Sequence, residues 1–438
     1  MKKTVISILL GIIAFPAFSQ EILTLEKCKE LALKNNAQAK NAELSVEAAG
    51  QQKKEALTKY FPSVSGAAMG LVFDKPLMTT EVATGYPAPH DKVQVDIIKN
   101  TLVGGFMAMQ PIFAGGQIIN GNRLAKAGVE AGKLQKQMTE NEVLLATERY
   151  FWQIVSLKEK MKTIEDSETM LNRILSDVKV AVEAGLTTRN DLLRVELEQN
   201  RLASGKLKAE NGLKILKMAL AQHIGMSSDA FDIDVPNLLS LENLTDSQDL
   251  TGLENEVKNR PEYKLLETSV DVARLQRDME IGKHLPTIAI GASYNWVKMD
   301  LDKQTEQNKN VGLAFAVVSV PITDWWGGAH AVKRKKLELQ QAENTKNEKT
   351  DLLLLQMQQI TNERNEAYQQ ILLAKKSISS AEQNLKISRD NFNAGVMTLS
   401  DLLEAQNLLQ QSQDQYTEAA TAYFVKLAEY EQVMNTAH

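Results

Sequence analysis

Two stretches of this 438-residue chain, Gln117 to Ala181 and Ala329 to Phe392, contain no proline. Both are rich in Glu, Lys, Gln, Leu and Ala, the residues that cost least in a helix interior. A continuous helix over the first would extend roughly 100 Å at about 1.5 Å per residue, more than a compact domain could contain. Such helices must pack lengthwise on other helices. Their apolar positions agree: Leu157, Met161, Ile164, Leu171, Leu175, Val178 and Val182 follow alternating steps of four and three, interrupted once by Glu168. Ile371, Ala374, Ile378, Ala381, Leu385, Ser388 and Phe392 do likewise. These stripes report packing rather than a cofactor box.

The chain also repeats itself. Ala37 and Pro62 lie 25 positions apart, as do Pro261 and Pro286, and Pro111 and Gly185 lie 74 apart, as do Pro321 and Gly395. Around the two glycines the text recurs: Ala184-Gly185-Leu186-Thr187-Thr188 against Ala394-Gly395-Val396-Met397-Thr398, then Asp191-Leu192-Leu193 against Asp401-Leu402-Leu403. Matching punctuation at matching intervals predicts two structural repeats. The first covers residues 20–226, a polar linker 227–249 follows, and the second covers 250–438. Each reads as helix, two strands, very long helix, turn and long helix.

Four short segments have strand character. Thr287 to Val297 alternates, with Ile288, Ile290, Ala292, Tyr294 and Trp296 on one face and Thr287, Ala289, Gly291, Ser293 and Asn295 on the other. One face suits lipid and the other water. Val311, Leu313, Phe315 and Val317 give the returning strand, about 311–320, a similar apolar face. The first repeat offers a weaker pair, about 64–73 and 102–112, separated by a loop with Pro76, Pro87 and Pro89. Each strand has about ten residues, enough to cross a membrane when tilted. Four strands cannot close a barrel alone, because bacterial barrels have at least about eight. An open edge in lipid would leave backbone groups unsatisfied at several kcal/mol each. The barrel must be shared between chains: two copies would give eight strands and three would give twelve.

The N-terminus reads as an address. Lys2 and Lys3 precede an apolar run from Val5 to Phe18, with small Ala17 and Ser19 before the expected cleavage point, so residues 1–19 are taken as a signal peptide. Without Lys2 and Lys3 the net charge moves from −5 to −7, unlike the basic balance of a nucleic-acid binder. Cys28, the one cysteine, forms no internal disulfide and does not follow the small residues that precede a lipid-attachment cysteine. His90, His223, His284, His330 and His438 are scattered without metal-ligand spacing, and no nucleophile elbow or phosphate loop is present. No enzyme, cofactor or metal site is expected.

The strand-to-helix junctions Gln110-Pro111-Ile112-Phe113 and Val320-Pro321-Ile322, the run Val311-Gly312-Leu313-Ala314-Phe315, and the turn from Phe392-Asn393-Ala394-Gly395 to Asp401 and Glu404 together resemble the TolC-like outer-membrane efflux proteins. The likeness spans the whole mature chain. It implies a mainly α fold with membrane β: long antiparallel helical hairpins form a periplasmic α-barrel, continuous with a twelve-stranded β-barrel shared by a homotrimer. It also implies a passive exit duct of a tripartite efflux or type I secretion system, located in the bacterial outer membrane. A periplasmic adaptor and an inner-membrane pump would dock at the helical tips. A secreted periplasmic coiled-coil structural or adaptor protein is the alternative, which leaves the strands unexplained.

The resemblance assigns roles to particular residues. Gly185, Leu186, Gly395 and Val396 fall at the hairpin turns, where a positive φ reverses the chain, and become adaptor-docking tips. Asp401 and Glu404 lie three apart on one helix face and, with Asp191, become the periplasmic gate. Three copies would place acidic side chains around one opening and favour cations there. A tyrosine and an arginine that tie the gate of the family's best-known member are Phe392 and Met397 here. Pro62, Pro111, Pro286 and Pro321 mark the junction between barrel and helices.

Overall fold

The computed structural model describes residues 21–75, 79–84, 91–96, 100–227, 231–236, 253–301 and 305–434. The expected signal peptide, most of the expected linker, and Pro76, Pro87 and Pro89 lie outside them. The elements in chain order are β1 (Glu21–Leu23), α1 (Leu25–Asn35), α2 (Ala37–Thr58), β2 (Ser63–Val72), β3 (Thr79–Thr84), β4 (Asp91–Asp96), β5 (Asn100–Ala114), α3 (Gln117–Glu183), α4 (Arg189–His223), β6 (Phe231–Ile233), α5 (Leu253–Glu256), α6 (Pro261–Lys283), β7 (Thr287–Leu301), β8 (Thr305–Ser319), α7 (Asp324–Asn393) and α8 (Leu399–Val433). The proline-free stretches are single helices of 67 and 70 residues. The described residues divide into two compact units: those within 1–41, 138–257 and 354–438 form the first, and those within 42–137 and 258–353 the second.

The first unit is helical, with a small parallel pair of β1 and β6. The coiled-coil positions read from the sequence are buried or half-buried in it. Leu171, Ile174 and Val178 of α3 pack with Val195 and Leu202 of α4, Leu385 of α7, and Leu399, Leu402 and Ala405 of α8. A second core joins Val143, Phe151, Trp152, Ile154 and Val155 to Leu220 and Ile224, and to Tyr416, Ala420 and Tyr423. Trp152 stacks on Phe424 with ring centres 4.1 Å apart, an aromatic pairing that adds to the area both rings bury. Within the span read as linker, Phe231 and Ile233 are buried, and Asp232 between them meets Lys158 at 2.9 Å and Lys217 at 3.1 Å. Partial burial would raise the Asp232 carboxyl, but the bonds from Lys158 and Lys217 outweigh it and hold the group below its ordinary value.

The second unit holds a four-stranded antiparallel sheet in the order β2-β5-β7-β8, with a separate β3-β4 hairpin. That hairpin lies where the sequence suggested only a loop. Cross-strand register sorts the sheet's side chains into two faces. One carries Val64, Val72, Leu102, Phe106, Ile288, Ile290, Tyr294 and Val318, with small Ala and Gly between them. From Val64 to Val72, Leu102 to Ala108, Ile288 to Trp296 and Gly312 to Val318, no residue on that face is charged. This register also decides which face the apolar set of β8 occupies. Val311, Leu313, Phe315 and Val317 stand opposite Asn295, Ser293, Gly291 and Ala289, on the other face from Ile288 and Ile290. Alternation along one strand cannot reveal which of two apolar rows shares a face with its neighbour.

Glycine in these strands has a packing reason. Gly104 lies opposite Trp296, whose indole carbons would come within 2.2 Å of any added Cβ; Gly291 has the same relation to the Phe315 ring at 2.4 Å. Aromatic rings fill space that the small residues leave, so a Gly-rich strand still packs. Two junction prolines, Pro62 and Pro286, stand immediately before β2 and β7, and Pro321 follows the end of β8. Pro111 differs: it lies inside β5, where the register shifts between Pro111 and Phe113. Lacking an N–H, proline interrupts the ladder and is accommodated by that irregularity rather than by ending the strand.

Candidate functional site

The two helix-to-helix turns lie in the first unit, and the sequence builds them alike. At the end of α3, Leu186 N–H donates to the Ala181 carbonyl at 2.8 Å and Gly185 N–H to that of Val182 at 3.0 Å; at the end of α7, Val396 donates to Asn391 and Gly395 to Phe392, both at 3.0 Å. This nested pair of bonds closes a helix on a left-handed residue. Gly185 has φ 70° and Gly395 φ 74°. Only glycine adopts that backbone without penalty. The following residues, Leu186 and Val396, are 81% and 76% exposed, an apolar display that nothing in the turn itself requires.

Each next helix starts with a reciprocal cap. Thr188 Oγ1 accepts from Asp191 N–H at 3.3 Å while Asp191 Oδ2 accepts from Thr188 N–H at 3.3 Å, and Thr398 with Asp401 repeats both distances. Two otherwise orphaned backbone donors are satisfied at each start. Asp191 and Asp401 therefore have a local structural task beside any gating task. Asp191 also accepts from Thr187 Oγ1 at 2.6 Å and Thr188 Oγ1 at 2.8 Å. These two hydroxyls, assisted by nearby Arg194, hold its carboxyl below the ordinary aspartate value.

The α8 face is laid out by heptad geometry. Leu402 and Ala405 point into the core, so Asp401 and Glu404, each adjacent in sequence to a buried residue, share the exposed side. Phe392 packs against the tip core at the position noted for its missing hydroxyl. Sequence reading overlooked two ties between the hairpins: Arg194 Nη1 donates to Ser400 Oγ at 2.8 Å, and Arg201 donates to Asn407 Oδ1. Their signal was available, since 194 and 201, like 400 and 407, are one heptad apart. Among the described residues no group of three or more His, Cys, Asp or Glu side chains is placed to hold a metal ion.

Among the described residues no helix is long and apolar enough to cross a membrane. The sequence model of the outer membrane efflux protein family matches residues 253–436. No curated protein sequence matches the chain. Solved structures with the same fold include VceC from Vibrio cholerae, at 14% identity and a TM-score of 0.75 over 94% of this chain and 95% of that one. CmeC from Campylobacter jejuni aligns at 16% identity and 0.76 over 94% and 85%, and MtrE from Neisseria gonorrhoeae at 15% and 0.75 over 94% and 88%. VceC is an outer membrane protein, and CmeC and MtrE are outer membrane channels. Over 94% of its length the chain thus has the fold of these outer-membrane proteins, and residues 253–436 match the outer membrane efflux protein family model.

Proposed function

We propose that the protein is the outer-membrane exit duct of an efflux or type I secretion assembly, working as a homotrimer. The observation that carries this reading is the sheet. One face is apolar and uncharged from Val64 to Val72, Leu102 to Ala108, Ile288 to Trp296 and Gly312 to Val318, and among the described residues the outer strands β2 and β8 each have a neighbour on one side only. An apolar face of this kind is stable against lipid, and unpaired edges in lipid demand partners. Edges from successive copies satisfy one another, and three chains close twelve strands around a lumen. The duct is passive, with no catalytic step and no cofactor.

The hairpin turns supply the docking surface. Leu186 and Val396, held outward by Gly185 and Gly395, form the apolar contact for a periplasmic adaptor, through which an inner-membrane pump hands over its cargo. Asp401 and Glu404, with Asp191 of the first repeat, line the periplasmic gate and raise cation concentration at the aperture. Pro62, Pro286 and Pro321, with Pro111 at its irregularity, mark the change from barrel to helix.

Planar-bilayer recording on the purified trimer tests both levels. Wild-type protein is expected to conduct, with a reversal potential in a salt gradient that reports cation preference. The Asp401→Ala/Glu404→Ala variant should conduct with that preference weakened. An unchanged reversal potential removes the gate assignment; absence of conductance from a detergent-independent monomer removes the duct.

A further inference from the structure

The chain is acidic overall, yet its charge is unevenly placed. The fifteen residues bordering each long strand on its helical side, 48–62, 115–129, 272–286 and 320–334, carry ten Lys and Arg against four Asp and Glu. All four segments belong to the second unit. Three of the segments hold cations without an ion pair, although Arg334 in the last of them pairs with Glu338 at 3.8 Å. Lys53, Lys54 and Lys59 at the end of α2, Arg123 and Lys126 at the start of α3, and Lys333 on α7 are exposed. Among the described residues, none of these six makes an ion pair, whereas Arg274, Arg277 and Lys283 of α6 pair with Asp271, Asp278 and Glu280. Lys336 stands exposed one helical turn beyond Lys333.

A second observation places these cations relative to an apolar boundary. Large hydrophobic side chains continue past the strand ends: Phe61 is 62% exposed, Ile322 70% and Trp326, in the first turn of α7, 83%. Ile112 and Ile119 extend the same display on the β5–α3 side. From those residues the cations begin within one or two helical turns. Arg123 follows Ile119 by four residues, Lys59 precedes Phe61 by two, and Lys333 follows Trp326 by seven, so each lies within about 10 Å along the axis. Aromatic rings followed at that interval by long cationic side chains match the layering of a bilayer, in which a headgroup shell several ångströms thick bounds the hydrocarbon. Negative lipid attracts Lys and Arg out to about a Debye length, near 8 Å at physiological salt.

We infer that the helical ends bordering the sheet form a cationic collar that binds anionic phospholipid headgroups in the leaflet facing the helices. The inference rests on the duct reading, which puts the sheet in the bilayer. The collar fixes how deep the sheet sits: Trp326, Ile322 and Phe61 settle at the hydrocarbon boundary, while Lys53, Lys54, Arg123, Lys126 and Lys333 hold the phosphates beyond it. Arg and Lys along a helix give multivalent, salt-sensitive contact without a single enclosing pocket.

The test uses the purified full-length trimer in an uncharged detergent, titrated with short-chain phosphatidylglycerol, short-chain phosphatidylcholine or inorganic phosphate. At low salt phosphatidylglycerol should raise the unfolding midpoint by about 2–4 °C over phosphatidylcholine. Inorganic phosphate should not, and 0.5 M salt, roughly three times physiological ionic strength, should abolish the difference. A variant with Lys53, Lys54, Arg123, Lys126, Lys333 and Lys336 all changed to Gln should lose the response, and the paired Lys333→Gln/Lys336→Gln variant should lose part of it. A set that replaces the same lysines by Arg should keep it. Equal responses to the three additives, or a fully responsive Gln variant, overturn the collar. So does a Gln variant whose lipid response is intact but whose ion selectivity has changed, because the cations would then line the lumen. Conductance of the wild type is scored separately, so failure of the duct reading is distinguishable from failure of the collar.

Discussion

The two hairpin turns share a backbone but not a charge. Counted from their glycines, Thr188 matches Thr398 and Asp191 matches Asp401, and both the helix-closing bonds and the capping distances recur. The matches then part. Thr187, which donates to Asp191, stands where the second turn has Met397, and Arg194 stands where it has Glu404. The first turn thus surrounds its carboxylate with two hydroxyls and a cation, while the second leaves two exposed carboxylates on one face with no cation at the matching place. Geometry is duplicated because a left-handed glycine and a reciprocal cap are what any such reversal needs. Charge is not part of that requirement, so the copies were free to diverge, and the second is the more acidic.

The strongest way to break the equality of backbones is at the glycines. Gly185→Val and Gly395→Val should each cost about 1–2 kcal/mol, because a β-branched residue is forced into a left-handed backbone. Nothing lies within 4 Å of an added Cβ at either site, so the cost is conformational and should be equal. Hydrogen exchange of the amides closing α3 and α7 measures it, and a tolerated substitution at one turn would show that the two are not equivalent. Smaller effects should separate the caps. Thr398→Ala should cost about 1 kcal/mol of local stability. Thr188→Ala should cost less, since Thr187 still donates to Asp191. Equal exchange rates in the two alanine variants would deny Thr187 that role.

Acid should expose the next difference. Asp191 has a folded-state pKa below its unfolded value, so its contribution is complete above the ordinary aspartate range and is lost as pH falls through the lower folded value. The first turn should therefore keep its capping box to a lower pH than the same turn carrying Thr187→Val, followed by carboxyl NMR titration. Arg194→Gln should give the smallest change, a slight rise in the Asp191 titration, since its charge is the weakest of the named causes. A larger shift from Arg194→Gln than from Thr187→Val would reverse the order of causes.

Much of this architecture was legible because the signals were long or redundant. Seventy residues without proline, carrying a core stripe, admit few structures besides a helix, and Leu171, Val178 and Leu385 are buried as that stripe requires. The turns were legible because glycine at φ near 70° is a requirement rather than a preference. Short polar elements were not. The β3–β4 hairpin fell in a segment broken by prolines, and β6 is three residues whose burial comes from pairing with β1, some two hundred positions earlier. At the candidate site the acids and tips could be named from sequence, but the capping task of Asp191 and Asp401 needed their bonds, and the ties from Arg194 and Arg201 needed neighbouring helices.

Sequence by itself determined that α3 and α7 are long helices and where the chain reverses, because periodicity and backbone preference act over near neighbours. Tertiary structure decided which apolar row of β8 joins the uncharged face, how Gly104 and Trp296 share space, and where Pro111 bends its ladder. Those outcomes depend on register between strands far apart in the chain, and a shift of one residue would have exchanged the faces.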